Sequence, residues 1–249
     1  MDLQKENLNN YEEAYNPDAK YSDENTLFLT RYARYMSNSI QQNKLKNILS
    51  LGIGHHIVSD ILSNELNHSA NHYVILEGSE SIIANFKIKP ELKERTEVIH
   101  TYFEDFDTDE KFDAIEMGFI LEHVDDPKII IEKYKGFLSP TGKMFIGVPN
   151  ARSLHRLIGF EAGLLKNLYE LSEYDLKFGH KRYFDVESIS NLVKQAGLKI
   201  ENKIGLLLKP ITTSQMQQLG WNKEIGNALL KLGDQFPEIS NSVLIEAVL

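Results

Sequence analysis

The sequence predicts an α/β fold: a doubly wound, mainly parallel seven-stranded sheet, with helical inserts near the C-terminal half. Three observations predict it. Short apolar runs of strand length alternate with amphipathic stretches of helical spacing from residue 45 onward. Several of these runs stop at a turn residue, as at Gly52, Gly78 and Pro149. The last two runs, 198–208 and 243–249, flank a helical insert and fit an antiparallel hairpin on the sheet's edge.

The elements follow in order. The leading residues are polar, and Pro17 prevents one continuous helix there. Ser22-Asp23 offers an N-cap for a helix of roughly 20 residues with Leu27, Phe28, Tyr32, Tyr35, Met36 and Ile40 as its apolar stripe. Residues 1–44 are thus expected to form an N-terminal helical cap on a domain spanning 45–249.

Asn47 to Leu51 reads as a buried strand running into Gly52-Ile53-Gly54, and 56–66 as the helix after it. His72 to Leu76 is the second strand, closed by Glu77-Gly78-Ser79 and followed by a short helix carrying Ile82, Ile83 and Phe86. Residues 97–102 and 112–117 are the third and fourth strands. Asp126-Pro127 opens a helix carrying Ile129, Ile130, Tyr134, Phe137 and Leu138, ended by the turn Ser139-Pro140-Thr141-Gly142, and Lys143 to Val148 is the fifth strand. The second half holds inserts at about 151–184 and 209–241, with a helix capped by Asp185 and stopped by Gly197 between them. Residues 154–165 and 212–233 read mainly as helix.

Composition narrows the function. The chain has 249 residues, 42% of them hydrophobic, with 27 Lys and Arg against 36 Asp and Glu and a net charge of −9. That balance repels polyphosphate, so no nucleic-acid partner is expected. There is no cysteine, which removes disulfides, thiolate metal sites and a Cys nucleophile. The first residues are too polar for a signal peptide and no apolar run reaches about 18 residues, so a cytoplasmic protein without a membrane span is expected.

In a doubly wound sheet, ligands sit beyond the carboxyl ends of the strands where strand order reverses. After the first strand stands Gly52-Ile53-Gly54; after the second, Glu77, 25 residues past Gly52 and near the spacing at which an acid grips ribose hydroxyls. A dinucleotide site needs a third glycine so that the helix N-terminus can approach pyrophosphate, and Ile57 does not supply it. S-adenosylmethionine (SAM) carries no phosphate and makes no such demand.

Five landmarks now fall in order: Ile48-Leu49-Ser50-Leu51-Gly52-Ile53-Gly54, Val74 to Ser79, Tyr102-Phe103-Glu104-Asp105-Phe106, Phe112-Asp113-Ala114-Ile115 through Leu121 to Pro127, and Leu138 to Lys143. With them the chain resembles class I SAM-dependent methyltransferases of the small-molecule branch, over roughly residues 45–205. The resemblance implies a Rossmann-like methyltransferase fold and SAM as cofactor. It places Gly52 and Gly54 beside the methionine part and Glu77 on the ribose, with Gly78 and Ser79 completing that strand end. Phe103 and Glu104 fall at the adenine, Gly118 and Phe119 beside the sulfonium. Two positions depart from the family pattern: Ser50 stands where an acid is usual, and His56 where a third small residue is.

A hydroxyl acceptor must lose a proton at or after transfer, so a positioned His, Asp or Glu would help. His180, His123 and His155 are the candidates. Related ubiquinone-pathway O-methyltransferases carry an acid three positions before the Glu of the Leu121-Glu122-His123 segment. That position is Phe119 here, and a hard cation wants several oxygen ligands, so no metal is expected. Arg152, Arg156, Lys177, Lys181 and Arg182 make a local basic excess, read either as a solvated surface or as recognition of an anionic acceptor. Segments 150–155 and 179–183 resemble methyltransferases of bacterial surface-polysaccharide synthesis, which suggests a sugar or sugar-nucleotide hydroxyl. The insert 151–184 is placed to act as a lid, and 209–241 to wall the site or form a homodimer contact. An N- or C-methyltransferase on another metabolite, and a SAM- or nucleotide-binding protein without catalysis, remain open as alternatives; the missing glycine disfavours an NAD-dependent oxidoreductase.

Overall fold

The computed structural model describes Leu8 and residues 22–249. The expected break at Pro17 lies outside the described residues.

Helix α1 (Ser22–Asn43) leads into β1 (Asn47–Leu51), α2 (Ile57–Glu65), β2 (His72–Glu77), α3 (Glu80–Asn85), β3 (Thr96–His100) and β4 (Phe112–Gly118). Helix α4 (Pro127–Lys135) precedes β5 (Leu138–Pro149), and the helices α5 (Leu154–Glu161) and α6 (Glu173–Lys177) make up the first insert. Then come α7 (Val186–Gln195), β6 (Lys199–Leu206), α8 (Thr213–Gln218), α9 (Lys223–Gln235) and β7 (Ser242–Val248).

The seven strands form one sheet in the order β3-β2-β1-β4-β5-β7-β6. Strands β1 to β5 pair in parallel, while β7 runs antiparallel to both β5 and β6. This is the expected doubly wound sheet with its C-terminal hairpin. Strand order reverses between β1 and β4, which opens the crevice at their carboxyl ends.

The near-continuous apolar strands are explained by burial on both faces. On one face Ile48, Ile75, Phe145 and Leu244 pack with Tyr32, Met36 and Ile40 of α1. On the other, Leu49, Ile115, Ile146 and Ile245 pack with Ile130 and Ile131 of α4 and Ile189 and Val193 of α7. Asp185 caps α7 as expected, its carboxylate accepting from Ser188 N–H, and Gly197 follows at φ 78°.

Several boundaries differ from the sequence reading, among them the third strand, which is Thr96–His100, and the helix from Leu154, which ends at Glu161. Helix α4 stops at Lys135, and Leu138 already belongs to β5. The Ser139-Pro140-Thr141-Gly142 segment lies inside that strand, where the ladder to β4 slips between Phe112 and Ala114. A register irregularity tolerates a proline that has no N–H to donate. Gly142 is needed because a Cβ there would come within 2.9 Å of the Phe112 carbonyl oxygen. Helices α8 and α9 are separate, broken at Gly220, whose φ of 63° suits glycine.

Candidate active site

One cavity of about 660 Å³ opens over the switch point. Its wall joins α1, the turn after β1, the ends of β2 and β4, and the first insert. Gly52 takes φ 92° and Gly54 φ 50°, conformations that side chains disfavour. A Cβ on Gly52 would meet only Ile120 and Phe103, at 3.8 and 3.9 Å, so the backbone conformation rather than crowding demands glycine.

Glu77 ends β2, buried, with both carboxylate oxygens held: Ile53 N–H donates to Oε2 and Ser79 N–H to Oε1, each at 2.9 Å. A carboxylate has about four lone-pair sites, so acceptor capacity for a diol remains. Glu77, Gly52, Gly54, Phe103, Gly118 and Phe119 all reach the cavity wall. Phe119 holds φ 60° and packs its ring 5.2 Å from Phe28 of α1.

Three residues expected at the cofactor lie off this wall. Ser79 is buried beneath it, orienting Glu77 and capping α3 through Ile82 N–H. Gly78 faces Leu8. Glu104 is exposed, and its carbonyl accepts from Lys133 Nζ. The His55-His56 pair leaves the crevice open: His55 forms part of the wall beside Asn25, and the His56 ring leans on Phe86. Burial, helped by the neighbouring His56, lowers the His55 pKa to about 4.

The far half of the cavity brings all three candidate histidines together with residues that the sequence left unassigned. His123 and His180 stand edge to face, ring centroids 4.7 Å apart, and His155 lines the same wall. His180 Nδ1 lies 3.3 Å from Asp175 Oδ1. Asp175 is held by both the hydroxyl and the N–H of Ser172, at 2.7 Å each, and by Tyr183 at 3.1 Å.

The electrostatics separate the three rings. Burial pushes His123 down to about 3, helped by the charge of His180, and pushes His155 down to about 2, helped by Lys209 and Arg156. Burial also works against charge on His180, but contact with Asp175 and the charges of Glu122 and Asp175 more than offset it and raise its pKa. Asp175 is held at about 2: its contacts with His180 and Ser172 outweigh its burial. Glu122 is fully buried, which raises it to about 7 although His180 and Arg182 pull the other way.

Glu122, His123 and His180 also bring ligand-type atoms within 4.8 Å of one another, an arrangement that can hold a metal ion. Phe119 adds an aromatic ring there and no oxygen ligand.

The basic excess is largely spent internally. Lys181 pairs with Asp125 at 2.6 Å, and Arg182 donates to the carbonyls of Leu121, Val124 and Asp125. Lys177 lies over the Phe178 ring. Of the five residues only Arg156 lines the cavity, with its guanidinium on the Leu168 and Glu170 carbonyls and over the Tyr183 ring. Of the two readings of these residues, the anion-binding patch is not assembled on the cavity wall.

Five wall residues escaped the sequence reading: Glu116, Asp175, Tyr183 and the ion pair Glu24–Lys209, 2.8 Å apart and buried. Only Glu116 carried a signal, an acid between the apolar Ile115 and Met117 in the interior of a strand.

A glycine turn and a buried acid flanking the switch point of such a sheet define a class I, SAM-dependent methyltransferase domain. The chain belongs to the methyltransferase-domain family, whose model matches residues 22–203, and is an enzyme of that class. Solved structures with the same fold include a SAM-dependent methyltransferase from Mesorhizobium loti, 15% identical, with TM-score 0.56 and 87% and 97% of the two chains covered. They include the N-methyltransferase NodS from Bradyrhizobium japonicum with S-adenosylhomocysteine (SAH), 12% identical, TM-score 0.54, covering 96% and 97%. They also include the plantazolicin methyltransferase BpumL with SAH, 16% identical, TM-score 0.58, covering 91% and 86%. No curated protein matches the chain.

Proposed function

We propose that this enzyme transfers a methyl group from SAM to a hydroxyl of a small-molecule acceptor, a sugar or sugar nucleotide being the leading class, with His180 as the base. One observation carries the reading: a single cavity has Glu77 and the glycine turn at one end and the histidines at the other. When bound, the cofactor supplies a methyl group on positive sulfur, open to in-line displacement. The protein's part is mainly to hold two reactants in line.

Glu77 accepts from the ribose hydroxyls, Phe103 borders the adenine, and Gly118 and Phe119 border the sulfonium. The far half offers the aromatic faces of Tyr174, Phe178 and Tyr183 with neutral hydroxyls such as Ser172, a lining that suits a sugar ring better than a polyanion. Asp175 favours the proton on His180 Nδ1, which leaves Nε2 to take the acceptor's proton. Glu122, balanced near neutrality beside it, is the next group for that proton.

An amine acceptor is a second reading, favoured by one observation: Glu122 Oε2 is buried without a hydrogen-bond partner among the described residues, which suits an incoming ammonium. Calorimetry tests the cofactor assignment: SAM and SAH bind and NAD does not. Screening metabolite fractions with methyl-labelled SAM then tests transfer, and label on a hydroxyl rather than a nitrogen decides between the readings. NAD binding in place of SAM overturns both.

A further inference from the structure

Glu116 is a buried acid in the middle of the sheet, on the cavity wall, and the transfer chemistry does not use it. It pairs in register with Ser50 across β4 and β1, so it sits two residues before Gly118 as Ser50 sits two before Gly52. Its Oε1 accepts from the Tyr32 hydroxyl at 3.0 Å and from Gly118 N–H at 2.6 Å. The Ser50 hydroxyl, 2.9 Å from the Tyr73 hydroxyl, adds a further neutral bond to the carboxyl. All these partners are neutral, and among the described residues no Lys, Arg or His forms an ion pair with Glu116.

A carboxylate kept out of water without a cation is costly, and burial lifts this one to about 7 despite three hydrogen bonds that favour its charge. The titratable groups facing it are Tyr32 from α1 and Tyr73 from β2, neither of them cationic. A site built this way is incomplete until a cation arrives.

The position says which cation. Glu77 on β2 and Glu116 on β4 flank β1 and its glycine turn on opposite sides, about 10 Å apart by two strand spacings. A nucleoside held by its ribose at Glu77 extends its amino-acid end across Gly52 to Glu116. Of that ligand's two positive groups, the ammonium has three N–H donors to satisfy a carboxylate and the sulfonium has none.

We infer that Glu116 anchors the α-ammonium of the cofactor's amino-acid end, supplying from β4 the acid that position 50 of β1 lacks. This rests on the SAM reading above. The test is calorimetry with two probes that share the adenosyl group: SAH, which carries the ammonium, and 5′-methylthioadenosine, which lacks the amino acid. Glu116→Gln keeps the shape and both Oε1 bonds. It weakens SAH by about 10-fold or more and leaves methylthioadenosine within about 2-fold.

The native enzyme gives a second measurement that needs no variant. At pH 7, in buffers of differing ionisation enthalpy, SAH binding releases about half a proton as Glu116 ionises, and methylthioadenosine releases none. Unchanged SAH affinity in Glu116→Gln, a parallel loss for both probes, or no proton release overturns the inference. Failure of SAH to bind the native enzyme overturns the SAM reading itself.

Discussion

His180 Nδ1 rests 3.3 Å from Asp175 Oδ1, and the ring and the carboxylate perturb each other in opposite directions: His180 is raised above 6.5 and Asp175 lowered to about 2. Ser172 holds the other carboxylate oxygen and Tyr183 donates to the same Oδ1, so the carboxylate is fixed in place. A base with a fixed carboxylate behind it has one nitrogen to offer and a defined direction.

The base must be neutral to act, so methyl transfer rises with pH along a limb whose midpoint lies above 6.5. His180→Asn lowers turnover by roughly 10²- to 10⁴-fold without changing SAM affinity. Asp175→Asn removes a charge that favours the imidazolium, and the midpoint moves to lower pH. Steady-state rates across pH check both; a normal rate in His180→Asn removes it as the base.

Glu77→Gln replaces one acceptor oxygen by an amide and unpairs a buried N–H, of Ile53 or of Ser79, at about 1–3 kcal/mol. SAM, SAH and methylthioadenosine should all weaken together, by about 10-fold or more, because each carries the ribose. That pattern contrasts with Glu116→Gln, and the two variants map opposite ends of one ligand. Equal affinity in native and Glu77→Gln protein would remove the ribose assignment.

Chelator sensitivity separates a proton-handling cluster from a metal centre. With His180 and Glu122 moving protons, exhaustive treatment with EDTA leaves turnover unchanged. A loss that Mg²⁺ or Zn²⁺ restores reassigns the three residues as metal ligands.

Acid stability follows from His155, lowered by burial to about 2, with Nδ1 buried and unpartnered among the described residues. Folded, the ring stays neutral; unfolded, it gains a proton below its ordinary 6.5. Its contribution is therefore fully present above pH 6.5 and lost as pH falls towards the folded value. Thermal melts of His155→Leu should fall less steeply below pH 6.5 than those of the native enzyme. Parallel slopes would show the ring to be solvated.

Strand and helix alternation, the glycine turn and Glu77 were legible because each depends on residues close together in the chain. Apolar spacing reports local burial, and a turn reports its own backbone. The boundary of β5 was not, because Pro140 and Gly142 resemble a turn locally while Leu138 and Lys143 on either side of them pair with β4. The basic residues at 177–182 suggested an anion site by count. The partners of Lys181 and Arg182, Asp125 and the carbonyls after β4, lie more than fifty positions away.

By itself the sequence determined the fold class, the crevice beyond the strand ends and three histidines that turn out to share one cavity wall. Only the tertiary structure decided which histidine has a carboxylate behind it, and that Ser50 faces an acid on the next strand. Hydrophobic periodicity is a property of one segment, whereas a pKa or a binding geometry depends on what folding brings beside a group. Strand register set Glu116 against Ser50, and packing of the insert set His180 between Asp175 and Glu122.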